Sequence, residues 1–306
     1  MRKIVFLLIT FSFSIISFGQ KQRFITSDNV DLYVNVNGEG IPCLYIHGGP
    51  GAGSYWMEKF AGELLEQRFK MVYLDLRGVA RSSSPTSQDY SMDRLIKDFE
   101  ELRSALGIKS WIIMGHSFSG TIVTAYAYKH PNAIKGIMMF NCSLNINESL
   151  TQSWIPHACE LLKIEDLGYF NDTEIPRQSK LDTLFRLLKE RDLTWKMAYH
   201  EKENEKIMNA TFSEIPNWNH DFGKVAFSIE DFNKNFKVLC PEINIPVLFY
   251  YGKSDWMAGP NHYNGVNFPE LMLWGSEVGH MPFLENKSDL AKAIDSFLAK
   301  YNFSKL

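Results

Sequence analysis

Between residues 43 and 140 the chain alternates short, wholly apolar runs with longer amphipathic ones, and this rhythm constrains the fold more than any other feature. Cys43-Leu44-Tyr45-Ile46 is a continuous apolar run of the kind buried on both faces of a sheet. A helix is expected near residues 54–67, a strand at 71–74, a helix at 92–106, a strand at 111–114, a helix at 118–129 and a strand at 136–140. In the second helix Met92, Leu95, Ile96, Phe99, Leu102 and Leu106 recur in steps of three and four, which turns one apolar stripe toward a sheet. Ser91 stands where an N-cap belongs. Short connections between such elements predict an α/β fold, with a mostly parallel sheet covered by helices on both faces.

Ahead of this series, residues 24–26 and 30–36 read as a half-exposed antiparallel hairpin. Val30, Leu32, Val34 and Val36 alternate with polar residues, and Ser27-Asp28-Asn29 supplies the turn. The rhythm stops near residue 143 and resumes with a strand at 245–251, another at 271–274 and an amphipathic helix at 288–300. The hundred or so residues between are helical in pattern and rich in Trp and Phe, as expected of an inserted lid. The expected organisation is a core of residues 20–142 and 241–306 with a mainly helical lid over 143–240. At 306 residues, 45% hydrophobic and 22% charged, the chain has enough apolar mass for one large core.

Residues 1–19 carry a different signal. Met1-Arg2-Lys3 is basic, residues 4–18 are largely apolar, and Ser17-Phe18-Gly19 precedes Gln20 as a signal-peptidase site would. The run falls short of the roughly 20 residues a membrane-spanning helix requires. A cleaved signal is expected, with a secreted or periplasmic mature chain and no stable membrane insertion. In an oxidising compartment Cys43, Cys142, Cys159 and Cys240 would be able to pair in three full connectivities, although Cys43 reads better as a small buried apolar residue. No Cys/His spacing suggests a metal, and no cofactor motif is present.

The candidate chemistry lies at the strand ends. Gly115-His116-Ser117-Phe118-Ser119-Gly120 sits between an apolar strand and a helix, where a sharp turn would lift the Ser117 hydroxyl clear of its neighbours as a nucleophile. Ser119 occupies the place of a usual glycine, and some strain is expected there. His47-Gly48-Gly49-Pro50-Gly51 follows the first buried strand, so its amides should lie at the same edge of the sheet as Ser117. An oxyanion hole is expected from the amides of Gly49 and Phe118, the latter at a helix N-terminus. Asp255 and His280 each follow a later strand, in the order that places an orienting acid and a general base after the nucleophile. His116, His262 and Glu285 lie near these residues in sequence and are assigned no chemistry.

Together with Asp75-Leu76-Arg77-Gly78-Val79-Ala80-Arg81-Ser82, Gly252-Lys253-Ser254-Asp255 and Gly279-His280-Met281-Pro282-Phe283-Leu284-Glu285, these motifs make the chain resemble α/β-hydrolases of the proline-iminopeptidase-like group, a serine peptidase family. The family shares its fold with many esterases and epoxide hydrolases. The resemblance implies the α/β-hydrolase fold, a catalytic triad of Ser117, Asp255 and His280, and a structural role for Asp75, Arg77 and Arg81. Epoxide hydrolases carry Asp where this chain has Ser117, and the family's Trp-rich, Glu-bearing lid motif is not evident.

The expected activity is therefore acyl transfer on a small molecule or short peptide, either as an aminopeptidase of proline-iminopeptidase type or as a carboxylesterase or carbon-carbon bond hydrolase on a small apolar substrate. A ligand-binding protein on a hydrolase scaffold is a further alternative. An aminopeptidase needs a carboxylate for the α-ammonium group, and the lid offers Glu148, Glu160, Glu201, Glu203, Glu205 and Glu214. Acidic residues exceed basic ones by four between Ser143 and Cys240. A net charge of -3 without a dense basic cluster argues against nucleic acid. Oligomeric state is not legible.

Overall fold

A computed structural model describes residues 20–303, so the expected signal over residues 1–19 lies outside the described residues. The hairpin appears as strands β1 (Gln20–Ile25) and β2 (Asp31–Asn37), paired antiparallel. Then follow β3 (Ile41–Ile46), helix α1 (Tyr55–Glu66), β4 (Phe69–Leu74), α2 (Met92–Ala105), β5 (Trp111–His116), α3 (Ser119–Lys129) and β6 (Ile134–Phe140). Strands β7 (Val247–Gly252) and β8 (Leu271–Ser276) come after the insertion, and the helix Lys287–Lys300 closes the series. The eight strands form one sheet in the order β1-β2-β4-β3-β5-β6-β7-β8. Only the β1–β2 and β2–β4 pairs are antiparallel. The expected α/β architecture is borne out.

The apolar runs are continuous because both faces of the central strands are covered. Leu44 and Ile46 of β3 face one core together with Leu95 and Phe99 of α2 and Ile122 of α3. Cys43 and Tyr45, pointing the other way, pack with Met57 and Leu65 of α1 and Leu290 and Phe297 of the last helix. The hydroxyl of Ser91 accepts the amide of Arg94 and so caps α2 as expected. All four cysteines are buried and unbridged.

The insertion between β6 and β7 is mainly helical, its longest helix being Arg177–Glu190. Trp154, Ala158, Leu184, Leu188 and Met197 form a small core of its own, whereas Phe222, Phe232, Phe236 and Cys240 join the main core beside α2 and α3. Ser149–Trp154 is a π-helical stretch running directly into Ile155–Leu161. Pro156 lies at the entry to the latter; it has no N–H to donate, and the wider turn before it accommodates its ring. No helix of the described residues is long and apolar enough to cross a membrane.

The loop after β4 is built on buried charge. Every donor of Arg77 is engaged: Nε and Nη2 bond Asp98 at 2.6 and 2.7 Å, Nη1 and Nη2 bond Asp28 at 2.9 and 3.0 Å, and Nη1 also reaches the Asp89 carbonyl at 3.1 Å. Arg81 pairs with Asp75 at 2.6 Å, and Asp75 also accepts the amide and hydroxyl of Ser54. These residues spend their hydrogen bonds on one another. They tie the hairpin turn, α2 and the start of α1 into one frame beside the carboxyl ends of the strands.

Candidate active site

Parallel pairing puts the loops after β3, β5, β7 and β8 at one edge of the sheet, and each brings a side chain or amide to a common point. After β5 the backbone reverses at Ser117, whose φ of 58° is left-handed and costs a non-glycine residue about 1–3 kcal/mol. The turn is held by its surroundings. The Ser117 carbonyl accepts the amides of Gly120 and Ser143, and its own amide donates to Phe140. Close packing demands small neighbours: a Cβ on Gly120 would lie 2.6 Å from the Ser143 carbonyl, and one on Gly48 would lie 2.7 Å from Ser117 Cβ.

Ser119 departs from the expected strain. It is the first residue of α3, and the left-handed backbone falls on Ser117 instead. The Ser119 hydroxyl accepts the His116 amide at 2.7 Å and donates to the His116 carbonyl at 2.9 Å, bracing the turn from inside. A glycine there would leave both groups without that partner.

Ser117, His280 and Asp255 are brought together in one hydrogen-bonded line. Ser117 Oγ is 2.8 Å from His280 Nε2, and His280 Nδ1 is 3.0 Å from each carboxylate oxygen of Asp255. Because a carboxylate only accepts, Nδ1 carries the proton and Nε2 is free to accept from Ser117. Asp255 is fully buried, and burial opposes its charge. The facing imidazole and the amides of Met257 and Ala258, at 2.9 and 3.1 Å, more than compensate and hold its carboxyl below the ordinary value.

Gly49 and Phe118 line the same cavity as Ser117, and the amide of neither donates to an acceptor among the described residues. Phe118 precedes α3, so its amide sits at the positive end of an 11-residue helix. Gly49 has φ of 115°, a conformation that places its amide without interference from a side chain. His47 fixes this loop. Its buried ring donates from Nδ1 to the Gly48 carbonyl at 2.9 Å and accepts the Leu76 amide at Nε2 at 3.1 Å, and burial lowers its pKa.

Two further residues hold the loops of the site: Asn141, which no sequence signal picks out, and His116, which sequence places beside Ser117 with no chemistry assigned. Asn141, buried just past β6, donates from Nδ2 to the Gly279 carbonyl at 2.6 Å and accepts the Gly252 amide at 2.7 Å. It thereby spans the loops bearing Asp255 and His280. His116 Nε2 donates to the His280 carbonyl at 2.8 Å, and burial pushes its pKa down to about 3, so its ring stays neutral beside His280. Buried residues of this kind leave no periodic signal. An Asn after an apolar run and a His before Ser117 are the only traces.

The cavity at Ser117 has a volume of about 320 Å³, and its wall is mostly apolar: Phe118, Ile146, Leu150, Trp154, Leu181, Phe185, Phe227 and Met257 contribute. Ser143, Ser149, Arg177, Gln178 and Asp182 add polar groups. None of the six glutamates considered above in the insertion lines it. Glu148 pairs with Lys237 at 2.7 Å, Glu160 meets His157 at 3.0 Å, Glu203 pairs with Lys206 at 2.8 Å, Glu205 accepts from Thr194, and Glu214 pairs with Lys59 and takes the Tyr55 hydroxyl. Glu201 is exposed. Of the aromatics of the insertion, Trp154, Phe185 and Phe227 reach the cavity, while Phe212 and Trp218 pack on Trp56 of α1. Among the described residues no group of His, Cys, Asp and Glu is arranged to hold a metal ion.

Comparison with known proteins matches residues 42–287 to the family described as alpha/beta hydrolase fold. A proline iminopeptidase of Neisseria gonorrhoeae is 36% identical over 104 residues, which is 34% of this chain and 33% of that protein. The match thus spans about a third of the length of that curated relative. Among solved structures, a proline iminopeptidase-related protein of Thermus thermophilus superposes with a TM-score of 0.73 at 19% identity, covering 92% of this chain and 97% of that one. An esterase from Exiguobacterium antarcticum gives a TM-score of 0.68 at 17% identity, covering 92% and 100%.

Proposed function

The chain belongs to the alpha/beta hydrolase fold family, and from that premise we propose that it is a hydrolase working by acyl transfer through Ser117, His280 and Asp255 on an uncharged substrate with an apolar acyl group, most simply a carboxylic ester. The observation that carries this reading is the 2.8 Å contact between Ser117 Oγ and His280 Nε2 at the wall of a largely apolar cavity. His280 takes the proton of Ser117 as the hydroxyl oxygen attacks the carbonyl carbon. Asp255 holds the imidazole in the tautomer that permits this and stabilises the imidazolium. The amides of Gly49 and Phe118 bind the oxyanion, and His280 then returns the proton to the leaving alcohol. Water, activated by the same imidazole, hydrolyses the acyl-enzyme and frees Ser117.

A second reading, removal of an N-terminal residue from a short peptide, draws support from the iminopeptidase relatives and from Asp182, a carboxylate on the cavity wall that would suit an α-ammonium group. Against it, the lid glutamates lie elsewhere, and Asp182 is exposed and already accepts from Gln178 at 2.7 Å. Comparing kcat/KM for p-nitrophenyl butyrate and proline 2-naphthylamide separates the readings. The ester is expected to be favoured by at least about tenfold, a margin of about 1.4 kcal/mol in transition-state binding. A preference for the naphthylamide that falls in Asp182→Asn would assign the site to peptides instead.

A further inference from the structure

A single carboxylate brackets the loop that carries His280. Glu285, at the end of the short helix Pro282–Glu285, accepts the Gly279 amide at Oε2 and the Met281 amide at Oε1, each at 3.0 Å, on the two sides of the base. Its Oε2 also accepts the amide of His200, 2.8 Å away, from the insertion. The same stretch of the insertion touches both catalytic loops. The Ala198 carbonyl accepts the His280 amide at 2.6 Å, and the Met197 carbonyl accepts the amide of Trp256, the residue after Asp255, at 3.1 Å. The His200 ring meets the Ser254 hydroxyl at 3.0 Å. Packing is tight enough that a Cβ on Gly279 would lie 2.5 Å from the Ala198 carbonyl.

Among the described residues Glu285 has no Lys or Arg partner. Burial raises its carboxyl pKa, and the three amides and the nearby His280 act in the opposite direction. Three amide donors favour the charged form of this half-buried carboxylate, and no fixed cation among the described residues neutralises it. The cationic group that turnover creates nearby is the imidazolium of His280.

We propose that Glu285 is a positioning residue that docks residues 197–200 of the insertion between the acid and base loops, making the insertion part of the support for the triad and placing a negative charge near the imidazolium formed during acyl transfer. Lid contact and base orientation are then one coupled state. Loss of the clamp lets the His280 loop drift, and a displacement of about 1 Å can cost on the order of 100-fold in rate. Ground-state binding is spared, because Glu285 does not line the cavity at Ser117. This inference rests on the acyl-transfer reading given above.

The test is Glu285→Gln in the full-length protein, assayed with p-nitrophenyl butyrate and by hydrogen exchange. Gln is nearly isosteric, but its amide nitrogen presents N–H groups where a carboxylate oxygen accepted them. The expected result is a fall in kcat of roughly 10- to 100-fold with KM within about threefold, and faster exchange confined to peptides spanning residues 196–201 and 277–283. Unchanged kcat, or exchange accelerated throughout the chain, would overturn the proposal. If E285Q does not fold, Ser254→Ala carries the test, since it removes the His200 contact at the surface: a lower kcat with local exchange in 196–201 supports the clamp, and wild-type behaviour overturns it. A wild-type protein that neither turns over the ester nor reacts with a fluorophosphonate overturns the acyl-transfer reading and the positioning role with it. That failure is distinct from a variant as active as the wild type.

Discussion

Replacing His280 by alanine is expected to leave the fold intact and to lower kcat by roughly 10⁴- to 10⁶-fold. The loop survives because its support is backbone-mediated: the Gly279, His280 and Met281 amides and the Gly279 and His280 carbonyls all have partners that do not depend on the imidazole as donor or acceptor. Without the ring, the Ser117 hydroxyl has no acceptor for its proton in the attack, and Asp255 has nothing to orient. Ser117→Ala is expected to fall by a similar factor, and the double variant no further, because groups that act on one proton transfer are not additive. A residual rate of about 10³ over water should persist from the free amides of Gly49 and Phe118 and from substrate binding. Steady-state kinetics of the three variants on one ester check this. A double variant much slower than either single one would mean that the two residues act in separate steps.

Arg77→Met should cost the folded state about 3–5 kcal/mol, a large part of the stability of an ordinary domain. The guanidinium is fully buried, and removing it strands Asp98, itself buried, with Arg94 as its remaining cation. It also removes the nearer of Asp28's two cations, leaving Arg94 at 3.5 Å and the bonds of Ser27 to Glu101 to hold the hairpin turn to α2. The methionine stem fills much of the volume, so the loss reports uncompensated charge more than a cavity. Urea unfolding followed by far-ultraviolet circular dichroism measures it. A loss below about 1 kcal/mol would show that Asp28 and Asp98 find other partners or protonate at little cost.

Much of this architecture is legible in the chain because its signals are local. Cys43 to Ile46 reads as a doubly covered strand since both of its faces are in fact covered, and the α2 stripe reads as one face since its other face is polar. Ser117, Asp255 and His280 are legible because each follows an apolar run and the runs are parallel, which brings their ends together. The place of β3 between β4 and β5 leaves no trace in the residues themselves. It follows from crossovers that adjacency in sequence does not record. Ser119 was open to misreading because a missing glycine suggests strain, whereas the structure turns its hydroxyl into a brace for the elbow. The contacts of Asn141 and Glu285 are hidden for another reason: Asn141 bonds groups 111 and 138 residues away, and Glu285, legible only as a neighbour of His280, reaches 85 residues back into the insertion. The glutamates of the insertion, attractive as ammonium ligands by composition, are spent on surface ion pairs and hydrogen bonds or on solvent exposure. Substrate preference is hardest to read because the cavity wall is assembled from side chains scattered between Gly49 and Ala258.

The central claim is that Ser117 is a nucleophile activated by His280. Treating the folded protein with a fluorophosphonate and locating the adduct by peptide mass spectrometry tests it most directly. The account predicts one adduct per chain, on Ser117, formed readily in the wild type and absent from Ser117→Ala. A folded wild-type protein that stays unlabelled while hydrolysing esters, or one labelled equally well in Ser117→Ala, would contradict it.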